Sequence, residues 1–256
     1  MNPPFSAWVT ALETRHLAEL RVREVTRALR ALSSAYVERR HGAAGSAAGA
    51  GQKVRGTLDS AGKRAAFALF YAPLHFIAVT HVVRALGADR PVPGSILDLG
   101  CGTGAAGAAW ALAAGSQPVV TGIDRHPWAI DEARWTYRQL GVHGHARQGD
   151  LTHVPTPRRG GAIIAAYVLN ELADASRIHV EEQLVDTAER GGHILVIEPI
   201  ARGVAPWWDR TAARFTALGG RADQWRLPTD LPPTLQLFDK AAGLNHRELT
   251  LRTLFI

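Results

Sequence analysis

Residues 95–113 read SILDLGCGTGAAGAAWALA. A short apolar run, a loop with glycine at every second position and a run of small helix formers follow one another without a spacer. Glycines 100, 102 and 104 let the backbone turn sharply and let a ligand approach without a Cβ in the way. This is a strand, a tight loop and a helix, and the unit then repeats. PVVTGID (118–124) is a second strand. Pro127 opens a helix that carries Ile130, Ala133, Tyr137 and Leu140 on one face and stops at Gly141. HARQGD (145–150), AIIAAYV (162–168) and HILVIEP (193–199) read as three more strands, with an amphipathic helix over 177–190. Alternation of this length predicts an α/β fold with a doubly wound, mostly parallel sheet.

The flanks are different. Residues 6–40 predict a helix, with Trp8, Leu12, Leu20, Val25, Leu29 and Leu32 between arginines and glutamates. HGAAGSAAGAG (41–51) reads as a flexible linker. A second helical stretch starts near Leu58, is interrupted at Pro73 and resumes to Gly87. The expected organisation is a helical N-terminal segment over 1–90, flexible at 41–56, and an α/β domain over 91–256. Downstream, 205–228 predicts a helix followed by a loop, 232–244 a helix and 246–256 a final strand. Leu249 and Leu251 alternate in one phase, Leu254 and Ile256 in the other. A bulged strand and a sheet one strand short both fit.

One cysteine excludes a disulfide framework and a multi-cysteine metal site, and the eleven histidines show no metal-ligand spacing. No metal is expected, and His75 and His126 read as surface or satisfied groups. The apolar runs are too short to span a bilayer, and the N-terminus lacks a basic start with an apolar core. A cytoplasmic protein with no membrane partner is expected. Residues 1–94 carry 13 Lys and Arg against 6 Asp and Glu, whereas 95–256 carry 16 against 17. Such asymmetry fits a polyanionic partner, and it fits a solvated helical face equally.

Two cofactors compete for the glycine loop. Gly102, Gly104 and Gly107 spell the dinucleotide fingerprint, but Asp98 inside the strand would repel a pyrophosphate. S-adenosylmethionine instead offers an ammonium and a sulfonium, which suit Asp98. Asp124 ends the second strand, where a carboxylate can accept both ribose hydroxyls. Asp150 ends the third, where it can accept from an adenine amino group with Leu151 against the ring. An Asp at a strand end also caps a following helix, but that explains one acid more easily than three. The acids favour S-adenosylmethionine.

ILDLGCGTG, GID (122–124), QGDL (148–151) and AYVLNEL (166–172) together resemble the class I S-adenosylmethionine-dependent methyltransferases. The resemblance covers about 95–200 and implies the Rossmann-like methyltransferase fold. It places Asp98, Gly100, Cys101 and Gly102 around the methionine end, Asp124 at the ribose, Asp150 and Leu151 at the adenine, and Tyr167 beside the methyl donor. Cys101 then contributes backbone and not a nucleophile. The basic N-terminus, RAAFALFYAPLHFIAV (64–79), YVLNEL and VIEP are similar to the methyltransferase-like proteins associated with the small ribosomal subunit. The cysteine cluster of their mitochondrial members is missing here.

Methyl transfer needs alignment, exclusion of water and, for some acceptors, a base. Asn170 could orient an acceptor and Glu171 could accept a proton; both read equally as helix caps. Glu198 could line the same cleft and reads rather as a strand terminator; Arg64 and Tyr71 could fold over the methionine carboxylate, and Phe67 and Phe70 read as core. Trp207, Trp208, Phe215 and Trp225, interleaved with arginines, read as packing and alternatively as a base-stacking surface. Three functions remain: a methyltransferase acting on RNA or the small ribosomal subunit, a small-molecule methyltransferase with a helical lid, and a non-catalytic cofactor-binding assembly factor.

Overall fold

The alternating units from Ser95 onward build one seven-stranded sheet in the computed structural model, which describes residues 3–42, 58–115, 118–157, 159–200 and 205–256. The strands are β1 (Ser95–Leu99), β2 (Val119–Asp124), β3 (Gly144–Gln148), β4 (Ala162–Ala166), β5 (His193–Pro199), β6 (Arg221–Pro228) and β7 (Glu248–Phe255). Their order is β3-β2-β1-β4-β5-β7-β6, and only β7 runs against the others. The order reverses between β1 and β4, and the glycine loop leaves β1 at that point. A ligand crevice is expected there.

The described helices are α1 (Pro3–His16), α2 (Val22–Gly42), α3 (Ala61–Leu86), α4 (Ala105–Ala113), α5 (Pro127–Leu140), α6 (Asp174–Glu189), α7 (Trp208–Ala217) and α8 (Pro233–Ala241). On one face of the sheet, Ile96, Val120, Ile164 and Leu251 share a core with Trp8, Leu29, Phe70 and Trp110. On the other, Leu97, Leu99 and Val196 pack with Val180, Leu184, Trp208 and Phe215. Helix α4 can lie close to the sheet because position 107 has no side chain. A Cβ there would stand 2.8 Å from Asp98 Oδ2 and from Val120 Cγ1.

The N-terminal helical segment is two helices before residue 43, not one. The chain breaks at 17–21, and Glu24 then accepts the Arg21 N–H at 2.8 Å. That is the reciprocal half of a capping box, and it starts α2 afresh. Helix α3 starts where Ser60 accepts the Lys63 N–H. It is not interrupted at Pro73. Pro73 cannot donate backward, and the helix absorbs this with a π-turn over Phe67–Tyr71, in which the Ala72 N–H reaches Phe67 O. The continuous helix is thus long and apolar enough to cross a bilayer, against the sequence expectation, but two-thirds of its apolar window is buried inside the protein. The flexible stretch expected over 41–56 lies, from residue 43 on, outside the described residues.

The N-terminal helices are fastened to the sheet domain. Glu132 of α5 is fully buried and accepts from Arg15 Nε at 3.1 Å, with His16 Nε2 at 2.8 Å. Arg15 also lies 4.9 Å over the Trp135 ring. Helix α8 closes the far side: Thr234 donates to Glu13, and Arg30 donates to the Ala241 carbonyl.

The C-terminal expectation needs correction. Residues 221–228 are not a loop but β6, an edge strand whose outer residues are exposed and largely polar. It therefore lacks the apolar signature of a buried strand. Strand β7 pairs in unbroken register with both β5 and β6. It has no bulge, and the sheet is not a strand short. Its two phases arise because Leu249 and Leu251 face one core and Leu254 the other.

Candidate active site

The carboxyl ends of β1 and β2 bring Asp98, the glycine loop and Asp124 together. Asp98 is 1% exposed. Its Oδ2 accepts the Gly107 N–H at 2.9 Å, and its Oδ1 is buried with no hydrogen-bond partner among the described residues. Burial lifts its pKa to about 7; the Gly107 N–H works against this and the charge of Asp124 adds to it. Asp124 is braced from two sides: Oδ2 accepts the Gly102 N–H at 3.0 Å and Oδ1 the His126 N–H at 2.8 Å. The loop glycines have positive φ, +65° at Gly100 and +50° at Gly102, where side chains are strained. A Cβ on Gly100 would stand 2.2 Å from Val168 Cγ2.

Cys101 points down, not into the crevice. A Cβ on Gly122 would stand 2.8 Å from its Sγ and 2.7 Å from the Tyr137 hydroxyl. Burial, then the charges of Asp98 and Asp124, pushes the thiol well up, so it stays protonated and is not a nucleophile. Asp150 sits beyond the end of β3, exposed. Its Oδ1 accepts from the Thr152 N–H at 2.9 Å and hydroxyl at 2.7 Å, and these bonds lower its pKa. It therefore does cap a short turn. Leu151 beside it is buried against the Ile123 side of the sheet.

The end of β4 is where sequence reasoning missed most. Tyr167 has φ +58°, the sole non-glycine residue with positive φ among the described residues. Strain of this kind collects at functional sites. Asn170 does not reach out alone. Glu198, fully buried at the end of β5, accepts from the Leu169 N–H at 2.9 Å, the Asn170 N–H at 3.3 Å and the Asn170 side-chain amide. The Asn170 Oδ1 accepts from Trp207 Nε1 at 3.3 Å. Both ends of that amide are engaged. Glu198 is thus a clamp on the 168–171 turn and not merely a strand terminator. Burial raises its pKa to about 8, against the pull of the two backbone N–H groups; the Glu171 charge adds to the rise. Glu171 follows, half-buried. Trp207, Trp208 and Phe215 are buried in the second core and so pack, whereas Trp225 is half-buried on β6.

The other wall is α3, on which the sequence points to Arg64 and Tyr71 but not to Phe67. Its neighbours Ala68, Leu69, Phe70, Ala72 and Leu74 are buried, but Arg64, Phe67, Tyr71 and His75 are half-buried along one stripe. Arg64 lies 6.0 Å over Trp128, after β2. Phe67 Cε1 is 3.5 Å from where a Gly102 Cβ would be. His75 stacks on Tyr167, after β4, with centroids 4.2 Å apart and planes 18° apart. The stripe therefore crosses the strand ends from β2 over β1 to β4. Phe70 is core as expected; Phe67 is not, because the π-turn rotates it onto the glycine loop. Burial lowers the His75 pKa to about 4. Arg64 Nε donates to Leu58 O at 2.8 Å.

Residues 96–192 match the family described as methyltransferase domain. A search of curated proteins finds no match. Among solved structures, a candidate O-methyltransferase from Nostoc punctiforme aligns with a TM-score of 0.54 at 14% identity, over 95% of this chain and 72% of that one. Magnesium protoporphyrin IX methyltransferase from Synechocystis with bound S-adenosylmethionine aligns at 0.49 and 17%, over 71% and 79%. The Pyrococcus abyssi tRNA (uracil-54, C5)-methyltransferase aligns at 0.43 and 18%, over 70% of this chain and 38% of that one. Residues 96–192 thus match a methyltransferase domain, and the strand order and the acid-flanked glycine loop are those of a Rossmann-like methyltransferase fold.

Proposed function

We propose that the chain methylates a small acceptor that enters beneath α3, and that the helical segment is a roof over the cofactor crevice. The observation that carries this reading is the stripe Arg64–Phe67–Tyr71–His75, which spans the strand ends from β2 to β4 and narrows the crevice. A narrow, ring-lined entrance suits a small molecule and excludes water, which alignment for methyl transfer requires.

The residues fit the cofactor. The missing Cβ at Gly102 leaves van der Waals room under Phe67, and the unpartnered Asp98 Oδ1 suits a cation nearby. In this reading Asp98, Gly100, Cys101 and Gly102 surround the methionine end, with Cys101 giving backbone alone. Asp124 holds the ribose, and Asp150 with Leu151 the adenine. The bound cofactor supplies an electrophilic methyl group. Tyr167 lines the site beside it, and Asn170 holds the turn through Glu198 and Trp207. Glu171 is the carboxylate placed to accept a proton.

A second reading rests on a separate observation. Arg21, just before α2, and Arg23, Arg27 and Arg30 within it are exposed, and phosphates of RNA, including ribosomal RNA, could pair with them. One experiment separates the readings. The protein is incubated with methyl-labelled S-adenosylmethionine and a fractionated extract. Label in small molecules supports the roofed site. Label in ribosomal RNA, lost when those arginines are neutralised, replaces it with the RNA reading. Cofactor binding without label points to a binding role.

A further inference from the structure

Donors and acceptors at the ends of β4 and β5 are arranged in one direction. An indole N–H donates and cannot accept. Trp207 Nε1 lies 3.3 Å from Asn170 Oδ1, so that end of the amide must be the oxygen. The amide nitrogen then faces Glu198 Oε2, which must accept. Glu198 Oε1 accepts from the Leu169 N–H at 2.9 Å and the Asn170 N–H at 3.3 Å. Both carboxyl oxygens therefore face donors, as an ionised Glu198 requires.

Trp207 is in no position to turn with its partner. It is buried, with Arg177 5.5 Å over its ring and the Trp208 ring 5.7 Å away. Arg177 is itself held by Asp174 at 2.7 Å and Glu181 at 3.2 Å. Other charged groups surround Glu198. Burial favours its proton most; the Asn170 and Leu169 N–H groups oppose it, the Glu171 charge supports it and Arg252 opposes it. Arg252 stands opposite Glu198 in the β5–β7 register, buried and 4.3 Å over Trp208. Tyr167 lies within reach of the Glu198 charge, and its hydroxyl stays protonated.

A proton taken from solvent onto Oε2 would not dislodge the turn. Oε1 remains a carbonyl oxygen with two lone pairs and keeps both backbone bonds. Oε2, however, becomes a donor facing the donor Asn170 amide. That amide gains nothing by reversing, because its nitrogen would then meet the indole N–H. The Asn170 side chain has to leave both partners. It is half-buried at the carboxyl end of β4, the end that borders the crevice.

We propose that Glu198 is a proton-operated hold on Asn170: ionised, it parks the amide against Trp207, and protonated, it frees the amide to orient a methyl acceptor. Glu198 is thus a positioning residue that acts through Asn170. The acceptor role rests on the reading that an acceptor meets the 168–171 turn; the hold itself does not.

The test follows the indole N–H resonance of Trp207 in the isotope-labelled whole chain from about pH 6 to about pH 9, assigned by its loss in Trp207→Phe. In the wild type it is expected to move downfield as pH rises and the bond to Asn170 forms, with a midpoint of about 8. Glu198→Gln sets an amide nitrogen against the Asn170 amide, and the resonance is expected to keep its low-pH position throughout. Asn170→Ala removes the acceptor and is expected to do the same. A wild-type resonance that stays still overturns the hold and needs no folded variant. A shift that persists in Glu198→Gln overturns it, since another group is then titrating. So does one that persists in Asn170→Ala, since Trp207 then senses charge and not the amide. Titration of the same sample with S-adenosylmethionine separates the two readings. If the resonance behaves as expected and the cofactor does not bind, the hold stands and the methyltransferase reading falls.

Discussion

Replacing Glu198 with Gln should make the protein more stable in alkali, not less. Burial moves the Glu198 pKa from an ordinary 4.5 to about 8 in the folded chain. Between those values the native state holds a proton that the unfolded state has released. Stability therefore falls as pH rises, by at most about 1.4 kcal/mol per pH unit, and levels off above the folded pKa. Summed across the window this is on the order of 5 kcal/mol. Glutamine mimics the protonated acid in shape and charge. At pH 4.5 the two proteins should differ by no more than about 1–2 kcal/mol, the scale of one altered buried hydrogen bond. As pH rises to 8 the wild type should lose ground steadily and fall below the variant. Urea unfolding followed by tryptophan fluorescence at each pH gives both curves. Taking their difference removes Asp98 and every other group that titrates in both. Parallel curves, or a wild type that gains on the variant with pH, would refute the reasoning; the three donors around Glu198 would then outweigh burial.

The roof latch offers a second test. Arg15→Ala with His16→Ala strands the buried Glu132, and should cost roughly 2–4 kcal/mol in urea unfolding, less than for a fully buried pair because Arg15 is 41% exposed. Gly107→Ala drives a methyl into Asp98 and Val120; a loss of about 1–3 kcal/mol, also read by urea unfolding, is expected. Affinity for S-adenosylmethionine should rise as pH passes through about 7, where Asp98 ionises and its carboxylate can pair with a cation; calorimetry from pH 6 to 8 checks this, and Asp98→Asn should flatten the profile. Asp124→Ala should weaken cofactor binding at least tenfold, since it loses the brace on Gly102 and, in the proposed reading, the ribose acceptor.

The strands, their parallel order and the crevice were legible because each rests on local pattern. Asp98 and Asp124 stand at strand ends next to glycines, and the rule for open sheets then points at them. Phe67 was not legible. At helical spacing a phenylalanine facing the core and one facing a crevice look alike, and the π-turn that decides between them comes from Pro73 six residues later. Glu198 was missed because its partners lie 28 and 29 residues earlier, across two strands. Strand β6 escaped because an edge strand with a wet outer face carries no continuous apolar run. The break before α2 was written in Arg21 and Glu24, a cap whose first residue is not a usual capping type.

The bonds from Glu13 to Thr234 and from Arg30 to the Ala241 carbonyl join positions 221 and 211 residues apart. Synthesis runs from the N-terminus, so α1 and α2 can pack on α3, where Trp8 meets Phe76, well before α8 is made. The bonds to α8 are therefore late events of folding, made after the helices that carry them have packed on α3, and they lock an N-terminal layer that is already in place.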